Sequence, residues 1–530
     1  MFRENRTQQA YIFERGANLT ERERRYLGKS WAEDFAANIF PHINEQRFAP
    51  LYNSENGRPN TPINVMVGAL IIKEMFGYTD DEMMDHMLFN IQVQHALRLT
   101  SEIEIPFSDR TLSRFREALL KHEAETGQDL LKEEVLALSL FAKDLLGVGD
   151  RVRRMDSIMI SSRCKKIGRL ELVYTCVEAL AAEYVKRNGA LPLPEWLMKY
   201  TQKSNKNATI YRAKPEEVGA RLESAVADAI ALKALCGDGF GDCPAYSLLS
   251  RMLDDQTEGG KLKDGKDVEP TSLQNPSDPD ATFRRKAGKK HTGYVGNIVE
   301  SCGDGVGVIT DYDLQPNTHS DQEFAKDVIS RSDGAEVGSA LICDGAYGSE
   351  DNFDEAAEKS INLVPTCLTG KPANVTLVDF HIDGDLIIGC PYGHAPTAAS
   401  YDEETRTLEA TFDGTVCAGC PLFGTCPAKQ RKDGSATVSF TDTSYNRSLY
   451  ERQLGTEEYK EYARKRNGVE GVMSILRRKY CVDAMPVFGQ KKSGLLFGIK
   501  VAAVNAVTLI KNLQTKRKEK EKSTGEVCPA

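Results

Sequence analysis

Three acids in this sequence stand where a carboxylate is costly to keep unless something meets it. Asp156 lies in RRMDSIMISS, whose alternation marks a strand. Asp344 lies in ALICDGAYGS, where Ile342 and Cys343 read as the end of a buried strand and Gly345 as the following turn. Glu470 lies in RKRNGVEGVMSILRRKY, where Val469, Val472, Met473 and Leu476 recur at helical spacing, so the glutamate can point toward a sheet. Carboxylates brought together repel, and they either share protons or hold divalent cations. Two Mg²⁺ ions ~3.5–4 Å apart serve a phosphodiester displacement, one at the attacking oxygen and one at the leaving oxygen. Mg²⁺ suits such a site because it takes oxygen ligands and completes its shell with substrate phosphates. Taken singly, each acid has a plainer reading, since an Asp before Gly is more often a turn or cap residue.

A second group of chemically able residues is the cysteines. Most of the 13 are scattered, but Cys390 in CPYGH and Cys417, Cys420 and Cys426 in CAGCPLFGTC are clustered. The two-residue gap between Cys417 and Cys420 lets both thiolates of a tight turn reach one Zn²⁺, and four sulfurs complete a closed tetrahedral site. Prolines after Cys390, Cys420 and Cys426 favour sharp knuckles over strands or helices. The surrounding segment has few large apolar residues, so a metal could supply missing stability. Structural zinc on these four is expected. Reduced, unliganded thiols and a redox pair are the alternatives. His394 reads as a turn residue.

The net charge of −9 argues against a protein that grips nucleic acid by bulk charge, but the distribution is uneven. RRKAGKKH (284–291) is wholly basic, and Arg284, Arg285, Lys289 and Lys290 could track a DNA backbone, as could QKKSG (490–494). A solvated loop is the other reading of the first segment. KRKEKEK (516–522) reads as a solvated helix tail.

These residues need elements to place them, and 530 residues exceed one compact core. Residues 1–145 read as helical. Thr61 is expected as an N-cap with Pro62 at the first helical position, and Thr79 with Glu82 forms a capping box. A helix from Ser108 puts Leu112, Phe115 and Leu119 on one face, with Arg110, Arg114 and Lys121 away from it. This suits a helix-turn-helix-like module contacting DNA through Arg110 and Arg114, although a plain bundle fits the pattern as well. Strands and helices then alternate, which is an α/β layout with a mixed sheet covered by helices. The expected segments are core at 146–201, an insertion at 202–283, core at 284–371, a cysteine-rich insertion at 372–450, core at 451–515 and a basic flexible tail at 516–530. No internal repeat or Gly-rich phosphate loop is visible. The start, MFRENRTQQAYIF, lacks a secretory apolar run. LLFGIKVAAVNAVTLIKNL is broken by Lys500 and Asn505 and reads as too short and polar to span a bilayer. A cytosolic protein with no membrane partner is expected.

Across nearly its whole length the chain resembles bacterial insertion-sequence transposases of the DDE class. The resemblance rests on GYTDDEMMDHMLFNIQVQHAL, PFSDRTLSRFRE, MDSIMISS, LQNPSDPDATFRRKAGKKHTGYVGNIVE, DYDLQPNTHSDQEF, CDGAYGS and RNGVEGVMSILRRKY. It implies an RNase H-like fold with the acidic triad on Asp156, Asp344 and Glu470, two Mg²⁺ (or Mn²⁺) ions, cleavage at element ends, and transfer of the freed 3′-hydroxyl to target DNA. Arg466, four residues before Glu470, and Arg477, where many relatives carry a lysine, are then expected to contact substrate phosphates, with surface ion pairing as the alternative. Tyr462 falls one residue out of the family spacing. Asp321, in NTHSDQEF, is expected to serve a helix start that Ser320 and Glu323 box, ahead of any metal role. By analogy the partners are the terminal inverted repeats, the target DNA and a second copy of the chain in a homodimer on paired ends. The location would be cytoplasmic, on the nucleoid when bound. A silent, domesticated DNA-binding descendant and an RNase H-like nuclease without strand transfer are the competing readings.

Overall fold

The computed structural model describes residues 1–5, 19–53, 57, 59–99, 107–108, 110–189, 193–286, 288–303 and 305–523. Most of the opening stretch (6–18) and residues 524–530 of the expected tail, Cys528 included, lie outside this description. The chain forms two compact units, Met1–Gly149 with Ser157–Ser320 and Met473–Ala530, and Asp150–Asp156 with Asp321–Val472. Strand β1 (Val152–Ser161) contributes its first half to the second unit and its remainder to the first.

In the first unit the amino-terminal part is helical, as its apolar spacing predicts. Thr79 and Glu82 form their capping box, the Thr79 hydroxyl accepting from the Glu82 amide at 3.1 Å. Two starts differ from expectation. The helix expected from Ser108 begins at Thr111, because Thr111 first closes a turn on the Ser108 carbonyl. The helix Ile63–Phe76 has Pro62, not Thr61, at its cap. Its first amides, Ile63 and Asn64, donate to the Glu45 carboxylate at 3.0 and 3.5 Å, so a distant residue does the capping. In the Thr111–Thr126 helix, Leu112, Phe115 and Leu119 are buried while Arg110 and Arg114 are exposed.

Strands β2 (Thr282–Lys286), β3 (Lys289–Cys302) and β4 (Gly307–Pro316) form an antiparallel meander, with the end of β1 beside β3. Residues 202–283 carry two longer helices, Val218–Cys236 and Pro244–Gln256, whose Leu222, Val226, Leu249 and Met252 share a core with Val173, Val177 and Leu180 of the helix Arg169–Asn188. Asp278, fully buried, accepts from the Ser162 and Tyr294 hydroxyls and from the Gly489 amide. Asp280 takes the next amide, Gln490, at 3.1 Å, so the two acids cap the longest helix.

That helix, Gln490–Ser523, corrects the expectation for 495–513. By length and composition it could cross a membrane, yet 83% of its apolar window is buried inside the protein. The residues that break its apolar run are both satisfied. Asn505 donates to Ser139 Oγ and the Ile309 carbonyl and accepts from the Ile309 amide at 3.0 Å. Lys500 meets Glu74 at 2.6 Å, both side chains less than a tenth exposed. The helix continues through KRKEKEK, where Arg517 pairs with Asp34 and Glu521 with Lys29.

In the second unit the first half of β1, β5 (Ser339–Cys343) and β6 (Ile361–Pro365) are parallel. β5 is buried along its whole length, and apart from Ser339 it is apolar, as suits a central parallel strand. The cysteine-rich segment is an antiparallel sheet of Ala398–Asp402, Thr407–Asp413, Ser435–Thr441 and Lys429–Gln430, with the hairpin His381–Asp383/Leu386–Gly389. It has more apolar substance than the sequence suggests, since Phe380, Ile387, Leu408, Phe412, Val438 and Phe440 form a core of their own. Arg406 anchors this segment to Glu350 at 2.6 Å.

The Glu74–Lys500 pair yields a prediction. Glu74→Ala leaves a buried ammonium without its partner and should cost about 3–5 kcal/mol in chemical denaturation, whereas the double change to Met at both positions should recover most of that loss. Equal losses for the single and double variants would contradict this.

Candidate active site

The parallel register decides where two of the acids go. Arg153 pairs with Leu341 and Arg154 with Ile342, so Asp156, inside β1, and Asp344, just past the end of β5, each lie two residues beyond a paired position and stand at the same level of neighbouring strands. The Asp344 carboxylate accepts from the Gly345 amide at 2.8 Å and faces the Cys367 thiol at 3.4 Å. Gly345 has no substitute here, because a Cβ would stand 2.3 Å from the Cys367 carbonyl oxygen. Burial pushes the Cys343 thiol well up and, more weakly, that of Cys367, with the Asp344 charge adding to both.

Glu470 arrives on the helix Glu457–Arg478. Tyr459 and Tyr462 pack this helix against Ala340 and Ile342 of β5 and Val364 of β6. The Arg154 guanidinium reaches from β1 to the Lys465 carbonyl at 2.6 Å, under Gly468, where a Cβ would lie 2.0 Å from Arg154 Nη1. So fixed, the helix places Arg466 among the acids. Its guanidinium is 3.7 Å from Asp156 Oδ2, 4.0 Å from Asp344 Oδ2 and 3.4 Å from Glu470 Oε1. The Arg466 side chain is 17% exposed, Asp156 19%, Asp344 44% and Glu470 64%, so the cluster opens to solvent on the glutamate side.

The other expected residues divide. Arg477 is exposed on the same helix, seven residues beyond Glu470 and so on nearly the same face. The Tyr462 hydroxyl donates to Glu458 at 3.2 Å and its ring packs on the sheet, a structural use. Asp321 is buried as the first residue of the helix Asp321–Ser330. Arg154, Cys367 and Gly468 were not singled out in the sequence. Arg154 had a legible signal, since it stands two residues before Asp156 and alternation puts both on one strand face.

Among the described residues no group of three or more His, Cys, Asp or Glu side chains is arranged to hold a metal ion. The three carboxylates fit a hard divalent cation by donor chemistry, but they surround a guanidinium. Cys390, Cys417, Cys420 and Cys426, all half-buried and unpaired, line one cavity together with His394. Their turns are not all knuckles, since Cys417 sits in the short helix Gly414–Ala418. The His394 amide donates to Cys390 Sγ at 3.4 Å, and His394 itself lies in the turn. Burial first, then the thiols of Cys426, Cys390 and Cys420, push the Cys417 thiol up, which is the cost of gathering sulfurs that a thiophilic cation relieves.

Described within the first unit, the β2–β3 hairpin carries the basic segment. Arg285 opposes Lys290, Lys286 opposes Lys289, and Lys166 donates to the Lys290 carbonyl at 3.3 Å. Arg285, Lys289 and Lys290 are exposed, while Arg284 is drawn onto the His319 carbonyl at 3.1 Å. Burial and then the surrounding cations Lys166, Lys289, Lys286 and Arg284 depress the pKa of His291.

Residues 26–118 match the family described as Transposase domain (DUF772), and residues 389–510 match that described as Transposase DDE domain. These two matches support an insertion-sequence DDE transposase. Its α/β fold with a mixed sheet is consistent with the RNase H-like core of that family. No curated protein and no solved structure matches it. The DDE match spans Arg466, Glu470 and Arg477 and also the four cysteines, so the cysteine-rich segment belongs to the transposase domain. A DDE transposase is a metal-dependent enzyme that cuts and joins DNA.

Two neighbouring glycines of the transposase helix separate packing from propensity. Gly471 has nothing within 4 Å of an added Cβ, so Gly471→Ala should raise stability by about 0.5–1 kcal/mol. Gly468→Ala must dislodge Arg154 from Lys465 and should show no gain in thermal unfolding. A gain of equal size at both positions would contradict the Arg154 clamp.

Proposed function

We propose that this transposase cuts a phosphodiester at each end of its element and joins the freed 3′-hydroxyl to target DNA at the Asp156–Asp344–Glu470 site. The observation that supports this reading most is that three acids from separate stretches of chain stand within 4.0 Å of one guanidinium. Asp156, inside β1, and Asp344, at the end of the neighbouring β5, supply the rigid part of the cradle, and Glu470, the most exposed, supplies the side that adjusts. Divalent cations, Mg²⁺ or Mn²⁺ and two per site in this reading, activate the attacking oxygen and stabilise the leaving oxygen when bound. Water attack on phosphorus breaks its bond to the 3′ oxygen at the element end. The released 3′-hydroxyl then attacks a target phosphorus, displacing the target's own 3′ oxygen. The chain's work is to position and to balance charge.

DNA contacts are assigned to Arg110 and Arg114 of the helical part, to the β2–β3 hairpin, to Arg466 beside the acids and to Arg477 further along the same helix. Hairpin contacts would be salt-sensitive and indifferent to sequence. Pairing of two ends implies a homodimer on terminal inverted repeats, working in the cytoplasm on nucleoid DNA. The four cysteines are assigned to structural Zn²⁺.

Asp344→Asn should abolish Mg²⁺-dependent cleavage of end-bearing DNA while leaving its binding intact. Undiminished cutting would refute the site. Elemental analysis should find about one Zn per chain, the stoichiometry of a closed four-sulfur site. The content should fall when Cys417 and Cys420 are both changed to Ser. Native protein free of zinc would remove that assignment and leave the catalytic one standing.

A further inference from the structure

We infer that Arg466 is the resident counter-ion of the acid cluster and must swing out before divalent cations enter, so that metal loading is an exchange of one cation for others. The inference rests on the reading of the three acids as the metal site and assigns Arg466 a positioning role within it.

The geometry carries the argument. A guanidinium that recognises one carboxylate docks as a fork, with charge-assisted bonds of ~2.7–2.9 Å. Arg466 does not. Its separations of 3.4, 3.7 and 4.0 Å spread over three carboxylates, so no single one captures it. Its one hydrogen bond to the acids, from Nη1 to Glu470 Oε1, is long at 3.4 Å, and its Nε is buried with no hydrogen-bond partner, so the group is held more by the summed field than by directed bonds. Among the described residues Arg466 is ion-paired to all three acids, and it occupies the place their charges select for a cation. A divalent ion bound there would face a like charge within contact distance, so both cannot remain.

Arg466 lies one turn before Glu470, the most exposed of the three acids, so its way out is a side-chain rotation toward the glutamate side, with the helix fixed by Arg154 and the two tyrosines. Once displaced, the same guanidinium is next to the incoming phosphate, so metal loading would arm a phosphate donor. Without metal, Arg466 keeps the acids gathered, which lowers the repulsion that would otherwise spread them.

The test is metal binding in the absence of DNA. Calorimetric titration with Mn²⁺ should show Arg466→Gln binding about tenfold more tightly than the wild type, the competing cation being gone, and Arg466→Lys returning toward wild type. In metal-free buffer Arg466→Gln should melt lower, and Mn²⁺ should raise its melting temperature more than that of the wild type. A merely structural arginine would lower the melting temperature equally with and without metal and leave affinity unchanged. Equal affinities for wild type and Arg466→Gln, with Asp344→Asn weaker than both, overturn the exchange alone. Binding that Asp344→Asn does not weaken, or no saturable binding by any variant, overturns the reading of the acids beneath it. Should Arg466→Gln not fold, the wild type itself answers through modification by an arginine-specific dicarbonyl reagent, mapped by mass spectrometry. Labelling of Arg466 should rise severalfold when Mn²⁺ is added, and unchanged labelling overturns the exchange.

Discussion

Repulsion among Asp156, Asp344 and Glu470 is the constraint that organises the second unit. Three carboxylates converge only if the backbone that carries them is held by something stronger than their dislike of one another. Two come from neighbouring parallel strands, whose hydrogen-bonded register fixes their separation. The third comes from a helix clamped by Tyr459 and Tyr462 on the sheet and by Arg154 on a backbone carbonyl. Arg466 then neutralises part of the charge from the centre. Packing energy from apolar strands thus maintains an electrostatic arrangement that chemistry can use, which is the usual relation between a site and its scaffold.

The first unit solves a related problem in its core. The helix Gln490–Ser523 needs long apolar runs to be buried among the helices Ile63–Phe76 and Leu130–Leu146 and strand β4, yet it carries Lys500 and Asn505. Each has a dedicated partner set, so neither is stranded. Buried polar groups that must be matched specify one way of seating the helix, where apolar contacts alone would tolerate several. Asp278 and Asp280 repeat the device at its amino-terminal end.

What the sequence makes legible follows from the range of the interactions. Alternation and helical spacing placed Asp156, Asp344 and Glu470 on the right element types, and the Arg466-to-Glu470 interval put both on one helix face. Local chemistry also gave the Thr79–Glu82 box. Long-range matters were hidden. Parallel pairing has no local code, so nothing in the sequence set β1 beside β5, and Arg466 could not be seen to meet Asp156 and Asp344. Capping of Ile63 by Glu45 is invisible for the same reason, and a hydroxyl next door was the natural but wrong choice. Proline and glycine around the cysteines suggested knuckles throughout, yet Asp413 caps a helical turn that holds Cys417. The small core under those cysteines was underrated because Phe380, Phe412 and Phe440 are spread through polar sequence and meet only in the folded sheet.

Whether the three acids act as one metal site is open to direct mapping. Fe²⁺ can replace a harder divalent ion, and with ascorbate and peroxide it cuts the polypeptide only where it is bound. This account predicts cuts clustered beside Asp156, Asp344 and Glu470 in the same molecules, suppressed by excess Mg²⁺ and lost together in Asp344→Asn. Cutting confined to one of these stretches, or persisting at the other two in that variant, would contradict a shared centre.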